Sequence, residues 1–317
     1  MEVLERFDRD RISQLRERDE FFWLDLTGPS SDEIKALGEL LGLHPVAIED
    51  TVEFDQRPKL DSYGDHLLFV FYTVRKGRNT GEGLFEPVEV HIYISGGFVV
   101  TIRRGECIEL DALHHELDTA DSEAEDYIVY KVFDVLTDAF YPIIDALEER
   151  IDALESHVLL SRPSREHLAE IYRLKQRVHD LSRRVVPQRD RFTTGSDAIL
   201  AIPGLAHGTR EYLRDVGDHL VQIASELHRQ QEDLTSLTAT YFNANANRLN
   251  AVATRLTIGG TFFLIWTLVT GFFGQNFGWL VRNIDTRHDF YLYGVSALVI
   301  PTVIIGTMFW VKRKDWF

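Results

Sequence analysis

The chain has 317 residues, with 50 acidic against 34 basic side chains and a formal net charge of −16. That balance excludes a general nucleic-acid binder, which needs clustered Lys and Arg to meet phosphate. A single cysteine, Cys107, excludes an internal disulfide framework and any multi-cysteine zinc site.

In chain order, residues 1–120 read as a cytoplasmic α/β domain. The N-terminal stretch MEVLERFDRDR is charged and has no apolar core, so no secretory signal is expected. Residues 21–27 (FFWLDLT) are strand-like. Residues 30–43 predict a helix: Ser30, Ser31, Asp32 and Glu33 offer a capping start, and Ile34, Leu37, Leu40 and Leu41 form an apolar stripe. Residues 66–74, 88–94 and 98–104 predict strands, the last two joined by a tight turn at Ser95-Gly96-Gly97. His91 falls on one face of that hairpin as a packed or solvated strand histidine. Cys107 reads as a small buried residue. His114 and His115 are adjacent on a helical pattern and point about 100° apart, so a surface position is expected rather than one metal site.

Residues 121–208 predict a cytoplasmic helical region. Val132, Leu136, Ile143, Leu147, Ile151 and Leu154 recur at mostly helical spacing. Between them Asp134, Asp138, Asp145, Glu148, Glu149, Asp152 and Glu155 read as the solvated face. After the turn at residues 161–164 a further helix is expected to run to about Val186 and to stop at Pro187 or Gly195.

No proline occurs between Pro203 and Pro301, and from about Thr209 to Phe273 the pattern stays helical. Unbroken, such a helix would be on the order of 100 Å long. It divides into a stalk, 209–255, and a first transmembrane helix, 256–280. An extracytoplasmic loop, 281–289, a second transmembrane helix, 290–311, and a basic cytoplasmic tail, 312–317, complete the chain. The two spans rest on uncharged runs at 256–281 and 290–311, each long enough for a bilayer core of about 30 Å. The overall mean hydropathy of −0.14 conceals them. Residues 248–317 carry seven basic and three acidic side chains, whereas residues 1–247 carry a net charge of −20. Arg248, Arg255, Lys312, Arg313 and Lys314 flank the outer ends of the pair, and only Arg282 and Arg287 lie in the loop. An integral protein of the cell (inner) membrane with both termini cytoplasmic is therefore expected.

Two helices enclose no water-filled path, so a pore requires several copies. Along the first span Asn250, Ala253, Leu256, Gly260, Leu264, Thr267 and Gly271 recur at three or four residues. This stripe reads equally as a pore lining or as a contact face between helices. At its outer end stands Phe273-Gly274-Gln275-Asn276-Phe277. Gly274 would free the backbone to turn there. A ring of Asn276 amide oxygens suits Mg²⁺, which dehydrates reluctantly. No nucleotide loop, nucleophile elbow or paired metal-ligand motif is present, so an enzyme is not expected.

With these features the chain resembles the CorA family of divalent-cation transporters over nearly its whole length. Ala47-Ile48-Glu49-Asp50 followed by Gln56-Arg57-Pro58-Lys59-Leu60-Asp61 is similar to the family's funnel-domain signature. Tyr212-Leu213-Arg214-Asp215-Val216-Gly217-Asp218-His219 is similar to its stalk signature, and Lys312-Arg313-Lys314-Asp315-Trp316 to its closing tail. The resemblance implies an α/β cytoplasmic funnel domain, a very long stalk helix, two C-terminal transmembrane helices and a homopentamer in the lipid bilayer. It implies that Gly274, Gln275 and Asn276 form the selective pore mouth, that Asn250 is an inner polar ring and that Leu256 and Leu264 are apolar gates. Thr267 and Gly271 then face the pore, and Asp215 helps bind a regulatory Mg²⁺. The implied function is passage of Mg²⁺, with Co²⁺ or Ni²⁺ as further ions. The divalent cation is substrate and possible regulator, and no other cofactor is implied.

Several positions depart from the family pattern. The motif's Met is Gln275, the loop lacks the family's Met-Pro-Glu-Leu stretch, and a gate position is the small Ala253. The carboxylate expected to partner Asp215 is replaced by basic residues around Arg75, Lys76 and Arg78. Variant motifs occur in zinc-transporting relatives of the ZntB kind, so a Zn²⁺ transporter, proton-coupled in one version, is the alternative. A non-transporting membrane-anchored sensor is the second.

Overall fold

The computed structural model describes residues 2–77, 85–119, 125–160, 163–203, 209–275, 278–284 and 286–311. Backbone contacts divide the chain into two compact units, Met1–Thr238 and Ala239–Phe317.

The first unit is built on a six-stranded sheet in the order β1-β2-β6-β5-β4-β3. β1 (Glu2–Leu4), β2 (Phe22–Thr27) and β6 (Phe98–Arg103) run parallel. β5 (Phe85–Ser95), β4 (His66–Lys76) and β3 (Lys59–Ser62) continue antiparallel. Both faces are covered, which is why β4 reads as a continuous apolar run rather than an alternating one. The period of two sends Leu68, Val70 and Tyr72 to one face. There they meet Ile12 and Leu15 of α1 (Arg9–Glu17), Leu37 and Leu41 of α2 (Ser31–Leu41) and Ala47 of α3 (Pro45–Glu53). Leu67, Phe69 and Phe71 take the other face. Their partners are α4 (Ile108–Thr119), α5 (Glu125–Asp138), α7 (Arg165–Leu200) and α8 (Thr209–Phe273), through Leu110, Phe133, Phe192 and Leu213 among others. The helix expected at 30–43 is α2. Ser30 caps it and Glu33 closes the box onto the Ser30 backbone N–H.

The apolar positions read as helical from Val132 to Leu154 fall in two helices, α5 and α6 (Tyr141–Leu160), separated at Ala139 and Phe140. Two local expectations are corrected. α7 does not stop at Pro187 or Gly195 but runs through both. Proline removes one backbone bond, and packing on the sheet outweighs that loss. The next residue, Gln188, is fully buried, and its amide replaces a missing strand. Its Oε1 accepts from Tyr72 N–H at 2.6 Å and its Nε2 donates to Tyr72 O at 3.1 Å, just beyond the end of β3. Gly195 lets the helix approach β3, since a Cβ there would stand 2.8 Å from Leu60 Cδ1. His114 is buried rather than on the surface, while His115 is exposed. His114 lies edge-on to Trp23, with Nε2 3.3 Å from Asp25 Oδ2 and Nδ1 3.3 Å from Glu5. Arg103, also buried, pairs with Asp25 at 2.7 Å and Asp111 at 2.5 Å. Cys107 is buried as expected, and burial pushes its thiol up to about 12.

In the second unit the remainder of α8 is followed by α9 (Gly278–Asn283) and α10 (Arg287–Asp289). A π-helical turn (Phe290–Val295) and α11 (Ser296–Val311) come next. Two helical stretches, Arg210–Phe273 and Arg287–Val311, are long and apolar enough to cross a membrane. Each contains an 18-residue apolar window of which none is buried within the chain.

Candidate ion pathway and cytoplasmic metal site

From Asn250 to Gln275, α8 has two faces. Ala251, Thr254, Ile258, Phe262, Ile265, Val269 and Phe273 are half-buried at helical spacing. Phe262 meets Phe309 with ring centroids 6.5 Å apart, and Trp266 Nε1 donates to Thr302 Oγ1 at 3.0 Å. This side of α8 therefore packs on α11. Asn250, Ala253, Leu256, Gly260, Leu264, Thr267, Gly271, Gly274 and Gln275 are all exposed. At about 100° per residue they centre roughly opposite the packed face. The sequence stripe is thus one continuous surface, and it is not the surface used for the second span. Asn276 lies outside the described residues, as do Arg78 and the tail 312–317.

Four threonine hydroxyls in the apolar part of α8 are satisfied by the helix itself. Thr257, Thr261, Thr267 and Thr270 each donate a hydroxyl to the carbonyl four residues earlier, at 2.7–2.9 Å. This removes unpaired donors from an apolar medium and leaves the hydroxyl lone pairs as the groups presented outward. At the outer end Gly274 N–H bonds Thr270 O at 2.9 Å. The expected free turn is not the reason for glycine here, because Gly274 is absent from the positive-φ glycines. A Cβ would stand 3.1 Å from the Thr270 carbonyl oxygen. A larger residue would thus meet backbone closely and require a shift of a few tenths of an ångström.

A second cluster lies in the first unit. Asp134 and Asp138, one turn apart on α5, face His219 on α8, and ligand atoms of all three lie within 4.8 Å of one another. His219 Nδ1 is 3.3 Å from Asp138 Oδ1, and its Nε2 is 4.0 Å from Asp215 Oδ1. Tyr130 donates to Asp215 at 3.4 Å, and Lys131 contacts Asp134 at 3.3 Å. Burial, then the neighbouring Asp134 charge, raises the Asp138 carboxyl above its usual range, against an opposing pull from His219. Burial and the Asp134 and Asp215 charges likewise raise the Tyr130 hydroxyl. Like charges held this closely are what a divalent cation would relieve. Sequence reading singled out Asp215 but took Asp134 and Asp138 for a solvated helix face. Their spacing of four was the only local signal, and His219 lies some 80 residues further on.

These two sites sit in a fold that other proteins share. Residues 18–313 match the family described as CorA-like Mg²⁺ transporter protein. The chain belongs to that family. YfjQ of Bacillus subtilis strain 168, provisionally named a metal ion transporter, is 29% identical over 309 residues, 94% of this chain and 90% of YfjQ. The cobalt/magnesium transport protein CorA of Thermotoga maritima is 25% identical over 315 residues, 98% of this chain and 87% of that protein. The complete structure of the CorA magnesium transporter from Methanocaldococcus jannaschii superposes with a TM-score of 0.77 at 19% identity, covering 93% of this chain and 91% of that one. That likeness is one of fold. The CorA-like architecture expected from sequence, an α/β domain with a long helix and a C-terminal apolar helix, is therefore established. So is membership of a membrane transporter family rather than an enzyme family.

Proposed function

We propose that this CorA-family chain passes divalent cations, Mg²⁺ first and Co²⁺ or Ni²⁺ after it, through a pore made by five copies. The supporting observation is the exposed stripe from Asn250 to Gln275, on the side of α8 turned away from α11. A polar ring at Asn250, apolar constrictions at Leu256 and Leu264 and hydroxyl acceptors at Thr267 form a path for a hydrated ion. Gly274, Gln275 and Asn276 form its mouth. Gln275 adds a donor and an acceptor where the family carries Met. Both termini lie in the cytoplasm, as the basic flanks require. No resident cofactor is needed, since the cation is the cargo.

The pore face contains neither His nor Cys, the ligands zinc prefers. This favours hydrated Mg²⁺ over tightly bound Zn²⁺. Uptake of Mg²⁺, Co²⁺ and Zn²⁺ into liposomes, measured side by side, tests the order. Mg²⁺ uptake is expected to be largest, and Asn276→Ala to abolish it. Uptake confined to Zn²⁺, or unaffected by Asn276→Ala, would overturn the reading.

The cluster of Asp134, Asp138, Asp215 and His219 is the proposed regulatory site. Its imidazole nitrogen suits Co²⁺ or Ni²⁺ better than Mg²⁺, which takes oxygen ligands. Saturating Co²⁺ is expected to raise the melting midpoint of the full-length protein, and Asp138→Asn to remove most of that rise. An equal rise in the variant would refute the assignment.

A further inference from the structure

A recess of about 410 Å³ opens in the first unit between the segment after α3, the middle of β4 and the middle of α7. Asp55, Gln56, Arg57, Pro58, Tyr72, Arg183, Arg184 and Pro187 line it. It holds part of the Gln56-Arg57-Pro58-Lys59 segment, which no step of cation passage uses.

The lining of this recess is basic, although the body as a whole carries a large excess of carboxylates. Several of the body's arginines are paired with carboxylates. Arg11 meets Glu2, Arg75 meets Glu86, Arg103 meets Asp25, Arg150 meets Glu170 and Arg229 meets Glu148. Within the segment itself Lys59 is neutralised by Asp50 at 2.5 Å and Asp61 at 3.1 Å. Among the described residues Arg57, Arg183 and Arg184 form no ion pair, a property they share with Arg9, Arg104, Arg191 and Arg214, but these three line one recess. Arg184 donates to the Asp180 carbonyl at 2.8 Å and lies over the Tyr72 ring at 5.4 Å, a placement that leaves its charge uncompensated. Asp55 is the one acidic residue of the lining.

The wall is also held rigidly. Phe54 and Asp55 both have φ of 57°, and Phe54 combines it with ψ of −169°, a region that side-chain-bearing residues rarely occupy. Glu89 sustains this conformation. Its carboxylate accepts from Asp55 N–H at 2.7 Å, Gln56 N–H at 3.0 Å and Tyr72 hydroxyl at 3.1 Å, and it contacts His91 at 2.7 Å. Tyr72 hydroxyl also donates to Gln56 O at 2.6 Å. The half-buried Glu89 carboxylate is thus engaged by four neighbours, none of them an arginine. Strain of this kind persists where surrounding contacts over-determine it, and it collects at ligand clamps.

We propose that this recess binds an organic phosphate of nucleotide size. Three arginines lining one recess suit the planar, multidentate recognition of a phosphate dianion. The volume falls within the range of small-molecule sites and exceeds what phosphate alone needs. Pro58, Pro187 and the Tyr72 edge supply an apolar wall for the organic part. Gln56 and Asp55 offer an amide and a carboxylate to its hydroxyl or amino groups. The proposal is independent of which cation the pore passes.

Isothermal titration of the full-length protein in detergent, without divalent cations, tests it with four probes: ATP, AMP, inorganic phosphate and glycerol phosphate. ATP or AMP is expected to bind saturably and at least about tenfold tighter than inorganic phosphate or glycerol phosphate. The double variant Arg57→Gln, Arg183→Gln is expected to weaken that binding by about tenfold or more. Both side chains are exposed, so the variant should keep its melting midpoint. Arg191→Gln, an exposed arginine on the same helix outside the recess, should leave affinity unchanged. The proposal is overturned if no probe binds saturably, if inorganic phosphate or glycerol phosphate binds as tightly as the nucleotides, or if Arg191→Gln weakens binding as much as the double variant.

Discussion

The two units of this chain solve the problem of apolar surface in opposite ways. Met1–Thr238 closes on itself: the sheet is covered on both faces, and Trp23, Phe69, Phe71 and Phe133 have no exposure. In Ala239–Phe317 no residue of either apolar window is buried, and Leu256, Phe263, Leu264, Leu268 and Trp310 stand at the surface. Water drives the first arrangement, because burying apolar area within one chain is favourable there. The second is tolerable only where the surroundings are lipid or further copies of the chain, since an exposed apolar area of that extent marks an interaction surface. Polar groups divide in the same way. The body buries an ion-paired network at Asp25, Arg103 and His114, whereas the spans hide hydroxyls by bonding them to their own helix.

The largest effect that sharpens this contrast is expected in the body. Arg103→Ala leaves Asp25 buried without its guanidinium partner and should cost about 3–5 kcal/mol. Chemical denaturation followed by tryptophan fluorescence would measure it. A loss below about 1 kcal/mol would mean that the network is solvated, and that the body is less closed than it looks.

A smaller effect concerns pH. Burial lowers the affinity of His114 for a proton, but the Asp25 carboxylate 3.3 Å away outweighs it, so its pKa in the fold is raised above 6.5. Its contribution is fully present below about pH 6.5 and is lost as pH rises through the higher folded value. Burial raises the Asp25 carboxyl, but His114, Arg103 and Thr101 overcome it and bring its pKa below 3.8. That contribution is present above about pH 3.8 and is lost as pH falls through the lower folded value. Melting midpoints should therefore decline as pH rises above about 6.5, and His114→Gln should flatten that decline. An unchanged slope in the variant would remove His114 from the account.

The smallest effect is expected in the spans. Trp266→Phe deletes the hydrogen bond to Thr302 and should cost roughly 0.6 kcal/mol, the usual value between membrane helices. Unfolding in mixed micelles would read it. A cost several times larger would mean that α8 and α11 depend on that bond as the body depends on its core.

Much of this architecture was legible residue by residue. β4, β5 and β6 follow their apolar runs and the Ser95-Gly96-Gly97 turn, and α2 follows its capping box. α8 follows the absence of proline over nearly a hundred residues. The stripe from Asn250 to Gly271 was also visible, because helical spacing alone groups those residues. What spacing left open was whether the stripe packs on the second span. The Trp266–Thr302 bond and the Phe262–Phe309 contact put α11 on the other side.

Where local rules misled, a long-range partner was responsible. Pro187 signals a helix end, yet Gln188 bonded to Tyr72 and Gly195 against Leu60 hold α7 on the sheet. Asp134 and Asp138 resemble a solvated face until His219 and Asp215 are brought beside them. His114 looks like a surface histidine until Asp25, Glu5 and Trp23 enclose it.

The sequence by itself therefore determined what depends on near neighbours: strand and helix periods, caps, the two membrane-length runs, and the charge division between an acidic body and a basic tail. Only the tertiary structure decided which charges meet. It joined Asp25 to Arg103, Asp138 to His219, and Arg57 to Arg183 and Arg184. Each of those groupings spans some 75 residues or more of chain. Electrostatic and hydrogen-bond energies depend on distance in space, which sequence separation does not report.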